Sequence, residues 1–377
     1  MMKKKFSLKD ALFNVETVTY LADLFKEADD SFGGSAFVDE VMERLCELEL
    51  KERIVWIAQV LEKHLPKDFK KASKLIVKAL PPPLDPSKSD NDYGSFIFAP
   101  LGEYVVRNGL QKELLSFSYN VLLELTERFS MEDAMRSFLN TFPKETLAQY
   151  TEWAQNENYH VRRLVSESTR PFLPWSRRIC ISIQTPFEFL NVLYSDKTRY
   201  VTRSVANHLN DCTKEDPLYV IETLVRWKME GRQDEKELQW MTKHALRTLV
   251  KKGNKDALAL LGYTNKPKIT VEQFSLSTNK IVQGEALSFE FVIVAIKDAS
   301  LMIDYSINFI KANGKSKPKV FKIKKINIQN GERASIIKKH RFVKDATTFT
   351  LYSGIHTITL HINGTKYNSA DFIVTQT

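Results

Sequence analysis

Three stretches, HVRRLVSES (160–168), YVTRSVANH (200–208) and WMTKHALRT (240–248), stand 40 residues apart and align without a gap. The register puts Val161, Val201 and Met241 at one position, and Val165, Val205 and Ala245 four residues later. Apolar residues four apart share one face of a helix. A period near 40 with two helices per unit is the signature of HEAT and armadillo repeats, whose units bury their apolar faces only against neighbours. The same register aligns Arg163, Arg203 and Lys243. Packed helices lie about 8–10 Å apart, so one cation per repeat would form a ladder suited to phosphates. The alternative is that each cation pairs with a local acid, as Arg163 can with Glu167 one helical turn on.

Outward from the repeat, the chain reads helical from about residue 5 to 262. Residues 37–65, 111–129 and 217–227 carry apolar residues at three- and four-residue spacing. PPPLDPSKSDNDYG (81–94) is Pro- and Ser-rich and cannot continue a helix. Gly262 follows DALALL and marks a helix stop, and TNKPK (264–268) reads as a linker. Beyond it the pattern alternates and is β-branched, as in SFEFVIVAI, LMIDYSINFI, KVFKIKKINI and HTITLHI. The turns NGK (313–315), NGE (330–332) and NGT (363–365) separate these runs. Seven or so strands in this stretch predict a β-sandwich. Neither Cys nor Trp occurs there, so "Ig-like" describes the architecture alone. The predicted fold is mainly α: a HEAT-like-repeat α-solenoid over 1–264, then an all-β Ig-like sandwich over 265–377.

The net charge of +9 is unevenly held. Residues 265–377 contain 17 basic and 8 acidic residues, whereas residues 1–264 contain 38 of each. A basic excess favours a polyanionic partner, nucleic acid or an anionic membrane, or serves only solubility. Apolar runs such as 289–296 are too short to span a bilayer. Lys9 and Asp10 interrupt the N-terminal stretch before it reaches signal-peptide length, so a cytoplasmic protein is expected. Cys46, Cys180 and Cys212 have no CxxC spacing, and the seven histidines have no metal spacing. Neither a metal nor a cofactor is expected.

Two stretches go beyond composition, HVRRLVSESTRPFLPW (160–175) and YVTRSVANHLND (200–211). Together with RFSMEDAMRSFL (128–139), in this order and at these separations, they resemble the AlkC-type DNA glycosylases, HEAT-like-repeat enzymes of the AlkC/AlkD superfamily. The resemblance covers nearly the whole chain, including the terminal sandwich that some AlkC proteins carry. It implies a helical solenoid that clasps duplex DNA. It also implies excision of cationic alkylated bases such as 3-methyladenine and 3-methylcytosine without flipping the base into a pocket. A cationic N-alkylated base is already a good leaving group, so the enzyme needs only to stabilise an oxocarbenium-like sugar and place a water. No Schiff-base lysine is required, and a monofunctional glycosylase acting as a monomer on double-stranded DNA is expected.

The acidic and aromatic positions that the resemblance implies are Glu132, Glu167, Trp175 and Asp211. Each has a plainer reading. Glu132 follows Ser130 at a helix start, where an acid suits the dipole. Glu167 can pair with Arg163 or Arg170. Trp175, after Pro171 and Pro174, can plug the space between repeats. Asp211 ends a predicted helix, where negative charge is disfavoured by roughly 0.3–1 kcal/mol, and otherwise serves as a turn residue before Thr213, which can cap the next helix with Asp216. The expected DNA contacts are Arg163, Arg170, Arg203 and Lys243 on the repeats, and Lys315 and Lys317 in the NGKSK turn of the sandwich. The competing functions are a non-enzymatic HEAT-repeat scaffold for DNA or protein, and a peptide- or membrane-binding module anchored by its Lys-rich sandwich.

Overall fold

The aligned stretches fall on equivalent helices. In the computed structural model, HVRRLVSES lies in the helix Tyr159–Ser168 and YVTRSVANH in Arg199–Cys212, while WMTKHALRT runs through Glu235–Ala245 into Arg247–Lys251. The six apolar register positions, from Val161 to Ala245, are completely buried. Side-chain rungs join successive repeats. Ser204 Oγ donates to Glu167 at 2.6 Å, Thr202 Oγ1 donates to Glu237, and His244 Nε2 meets Asn207 Oδ1 at 2.9 Å.

The structure describes residues 6–88, 90, 92–312, 314–343 and 350–375. Asn313 of the expected NGK turn falls outside them. Two compact units form, residues 1–215 with 230–244 and residues 216–229 with 245–377. In the first unit, helix starts follow their capping chemistry. Asn14 and Thr17 form a reciprocal capping box, Asp68 accepts from Lys71 N, and Asn158 accepts from His160 N. The start of the Pro-rich stretch, 81–88, is a loop stitched to the end of the helix Leu115–Thr126. Leu84 N donates to Glu127 O (2.9 Å), and Arg128 Nε donates to Pro81 O (2.8 Å). No described helix is long and apolar enough to cross a membrane.

In the second unit the helix Lys255–Leu260 stops before Gly262, whose φ of 84° completes the turn. The strands are β1 (Ile269–Leu276), β2 (Lys280–Val282), β3 (Ala286–Ala295), β4 (Ala299–Ile310), β5 (Ser316–Ile328), β6 (Arg333–Arg341), β7 (Gly354–Ile362) and β8 (Thr365–Thr375). They form a three-stranded sheet, β1-β3-β6, and a five-stranded sheet, β2-β8-β7-β4-β5. Pairing is antiparallel except for β2 on β8. Leu287, Phe289, Phe291 and Ile293 alternate into the core from β3, against Leu301, Ile303, Tyr305 and Ile307 from β4. The NGT turn closes the β7–β8 hairpin with φ of 47° at Asn363 and 73° at Gly364. A Cβ on Gly364 would come within 2.8 Å of Gly253 Cα, so only glycine fits. Asn363 is buried and spends its side chain on Met302 N, Thr264 O and Ser300 O.

Candidate active site

The helix Tyr159–Ser168 ends when Ser168 and Thr169 turn their hydroxyls back onto the carbonyls of Leu164 and Val165, at 2.6 and 2.7 Å. Pro171 and Pro174 then keep the chain from resuming a helix. Trp175 takes φ of 62°, the left-handed region that side chains with a Cβ avoid. Its ring is 82% exposed, which excludes the role of a plug between repeats. Phe172 of the same loop lies under two cations. Arg178 Cζ is 4.2 Å and Lys214 Nζ is 4.4 Å from its ring centroid.

Glu132, Glu167 and Asp211 belong to one alternating chain of acids and arginines. Glu167 is almost wholly buried. Arg170 Nη1 and Ser204 Oγ each donate to it at 2.6 Å, and Arg163 Nη2 stands 3.7 Å away. Arg170 then turns its Nε and Nη2 onto Asp211 Oδ2, both at 2.9 Å, and Lys214 Nζ reaches Asp211 Oδ1 at 3.1 Å. Asp211 lies in the last turn of its helix, where the dipole disfavours it, and these two cations hold it there. The next helix is capped by Asp216, which accepts from Tyr219 N, and not by Thr213, whose hydroxyl donates back to Asn210 O.

On the other side of Glu167, Arg163 Nη1 donates to Ser130 Oγ at 2.6 Å and lies 3.8 Å from Glu132, with its guanidinium over the Tyr200 ring. Glu132 opens the helix Glu132–Thr141. Ser130 is thus spent on Arg163 rather than on a cap. Glu132 Oε2 is buried and accepts no hydrogen bond. Glu132 and Trp175 share a groove of about 1050 Å³, lined also by Lys51, Glu103, Ile54 and Phe129. Glu167 and Asp211 do not line this groove and belong to the arginine network.

Burial pushes the Glu167 carboxyl upward, but Arg163, Arg170 and the Ser204 hydroxyl outweigh it and hold it below the usual carboxylate range. Its folded value lies under an unfolded value of about 4.3. Glu167 therefore contributes stability above that pH and loses it as pH falls through the folded value. The melting temperature of Glu167→Gln should lie below that of the parent at pH 7. The gap should close in thermal melts run downward from about pH 4.3.

The cations expected on phosphate are placed unevenly. Arg170 is buried and Arg163 half-buried, both against acids, so the local pairing weighed for Arg163 is what the folded chain has. Arg203 pairs with Asp90 and faces the Tyr93 ring at 5.9 Å. Lys243, Lys315 and Lys317 are exposed. His208 is buried with Nδ1 on Ser166 O, and burial lowers its pKa to about 4, a structural role. No metal-binding cluster occurs among the described residues. Ser204, Lys214 and Tyr200 escaped the sequence reading, and Ser130 stood in it only as part of a helix start. Only Lys214 left a signal, the i,i+3 spacing from Asp211.

Residues 270–376 match the family described as "Uncharacterised protein YhaZ, C-terminal Ig-like domain". Over 96% of its length the chain is 35% identical to "Uncharacterized protein YhaZ" of Bacillus subtilis strain 168, covering 98% of that protein. It is also similar to the alkylpurine DNA glycosylase AlkC of Pseudomonas fluorescens, solved bound to DNA containing an abasic site analog. That likeness has a TM-score of 0.85 and 30% identity, and it covers 98% of this chain and all of the other.

Proposed function

Because the chain belongs to the AlkC-type family, with YhaZ as a relative, we propose that it is a monofunctional DNA glycosylase. On this reading it hydrolyses the N-glycosidic bond of cationic alkylated bases, 3-methyladenine and 3-methylcytosine, in duplex DNA without flipping them. The observation that carries the reading is the set of three carboxylates preorganised by Arg163 and Arg170, one of which, Glu132, shares a groove with the exposed, left-handed Trp175. A scaffold has no use for a carboxylate oxygen buried without a donor, as in Glu132.

The chemistry divides by environment. A cationic base leaves with its bonding electrons, and positive charge develops on the sugar. Glu167 stays ionised and, with Asp211, supplies a fixed negative field that needs no reorganisation at the moment of bond breaking. Glu132 lines the groove shared with the ring that would cover the sugar, and its carboxylate is the one assigned to the attacking water. Attack of that water completes the hydrolysis, with its proton passing to the carboxylate. Because the base stays stacked, no pocket has to read its edges.

We place this chemistry in residues 1–264 and treat 265–377 as an added phosphate-binding domain, with the protein acting as a cytoplasmic monomer. Lys315→Ala with Lys317→Ala in the full chain should weaken binding to damaged and undamaged duplex alike and reduce the salt slope by roughly two. Lys243→Ala should act in the same direction by about half as much. Fluorescence titrations at several salt concentrations measure both. The whole reading is tested by incubating the protein with methylated duplex and resolving released bases by chromatography. Duplex binding with no released base would instead favour the non-enzymatic scaffold.

A further inference from the structure

We propose that Lys51 is a positioning residue for Trp175, fixing the direction of the tryptophan by holding its backbone; the proposal rests on the glycosylase reading of this site. Lys51 lies in the first turn of the helix Leu50–His64, 124 residues from Trp175 in sequence. Its ammonium donates to the Trp175 carbonyl. Asp133 Oδ2, 3.4 Å from the same nitrogen, keeps the ammonium in place. Lys51 and Trp175 line one groove together with Glu132.

The loop needs such a hold at its tip because its feet are fixed by another group. Arg136 is completely buried and donates from Nη1 to Ser168 O (2.9 Å) and Arg170 O (2.7 Å). Its Nε donates to Arg177 O at 2.8 Å, so one guanidinium ties together the two ends of the segment that carries Trp175. Asn140 extends the seam, donating to Arg178 O at 2.8 Å and accepting from Cys180 N at 2.9 Å. Trp175 rises between these feet with φ of 62° and an exposed ring. A left-handed conformation at a residue with a Cβ persists only where its surroundings over-determine it. The exposed ring has little packing to supply that constraint, so it comes through the backbone, and Lys51 reaches the carbonyl of Trp175 itself. A ring that must cover one sugar has to point one way before substrate arrives.

The side chain of Lys51 is 56% exposed, so replacing it spares the core. Single-turnover release of 3-methyladenine at saturating enzyme would be compared for wild type, Lys51→Met, Lys51→Arg, Trp175→Ala and the Lys51→Met/Trp175→Ala double variant. Lys51→Met should slow release about tenfold while leaving duplex affinity within about twofold. Lys51→Arg, which keeps the donor and the charge, should restore the rate to within about threefold. In the Trp175→Ala background Lys51→Met should add nothing, because the two act as one unit. An equal loss in that background, or weaker binding at an unchanged saturated rate, would overturn the proposal and make Lys51 a phosphate contact. A second readout does not depend on chemistry. The fluorescence anisotropy of Trp175, isolated by difference against Trp175→Phe, should fall in Lys51→Met, and unchanged anisotropy sinks the clamp. Should wild type release no base, the glycosylase reading fails on its own while the anisotropy still decides the role of Lys51.

Discussion

Asp211→Asn should slow release of 3-methyladenine from duplex DNA by about 100-fold or more, with duplex affinity unchanged or higher. The substitution keeps the shape of the side chain and one oxygen to accept from Arg170, while the amide NH2 takes the place of the oxygen that faces Lys214. It removes the charge together with the acceptor for Lys214, and the developing sugar cation is what that charge serves. Binding does not suffer, because an acid near phosphates is repulsive before it is useful. The fold loses about 1–3 kcal/mol, since Arg170 keeps its bond to Glu167 while its second partner becomes neutral. Single-turnover excision, filter binding and a thermal melt on the same variant separate these effects. An unchanged excision rate would remove Asp211 from the mechanism and leave Glu167 and Glu132 to carry it.

Glu132→Gln should reduce base release by a similar factor, about 100-fold, but with a different stability signature. Glu132 Oε2 accepts no hydrogen bond, and Arg163, its nearest cation, is 3.8 Å away and already bonded to Ser130. Neutralising it therefore breaks no hydrogen bond and forfeits the favourable charge at a helix start, roughly 0.3–1 kcal/mol, together with its longer-range attraction to Arg163. The melting temperature should stay within a few degrees of the parent. A variant that loses stability while keeping its rate would mean that Glu132 is a helix-start residue and no more. Comparing the two variants tells a carboxylate held as a fixed field from one left open to accept a proton.

The core was legible because burial follows periodicity. The 40-residue register named Val161, Val201 and Met241, and all three are fully buried. The NGT turn announced its hairpin because only Asn and Gly tolerate φ above zero at consecutive positions. Eight strands stand among the described residues where about seven were expected. β2, three residues long and paired in parallel, is too short for its pattern to stand out. The acids were named by resemblance, but their surroundings were hidden. A column of cations at Arg163, Arg203 and Lys243 is visible in the register. The acid that meets Arg203 comes from Asp90, 113 residues away in a loop with no periodicity. For Arg170 the sequence offers phosphate or Glu167 as partners, and nothing local shows that Asp211, 41 residues on, takes two of its nitrogens. Lys51 lies outside every motif, and its part follows only from three-dimensional neighbourhood.

The guanidinium shared by Glu167 and Asp211 also bears on how such a site can change through descent. Loss of either carboxylate leaves Arg170 buried with half its partners, and loss of Arg170 strands two buried acids at once. Each single step out of the arrangement is worse than the arrangement itself, so the effects of the three positions are not additive. A lineage that abandoned the chemistry would find no gradual exit through this corner of the protein. It would have to replace the triplet together, or keep it for the sake of the fold. Retention of Glu167, Arg170 and Asp211 in a descendant would then report on folding as much as on catalysis, whereas Glu132, bound to nothing by a hydrogen bond, is free to drift once the reaction is no longer selected.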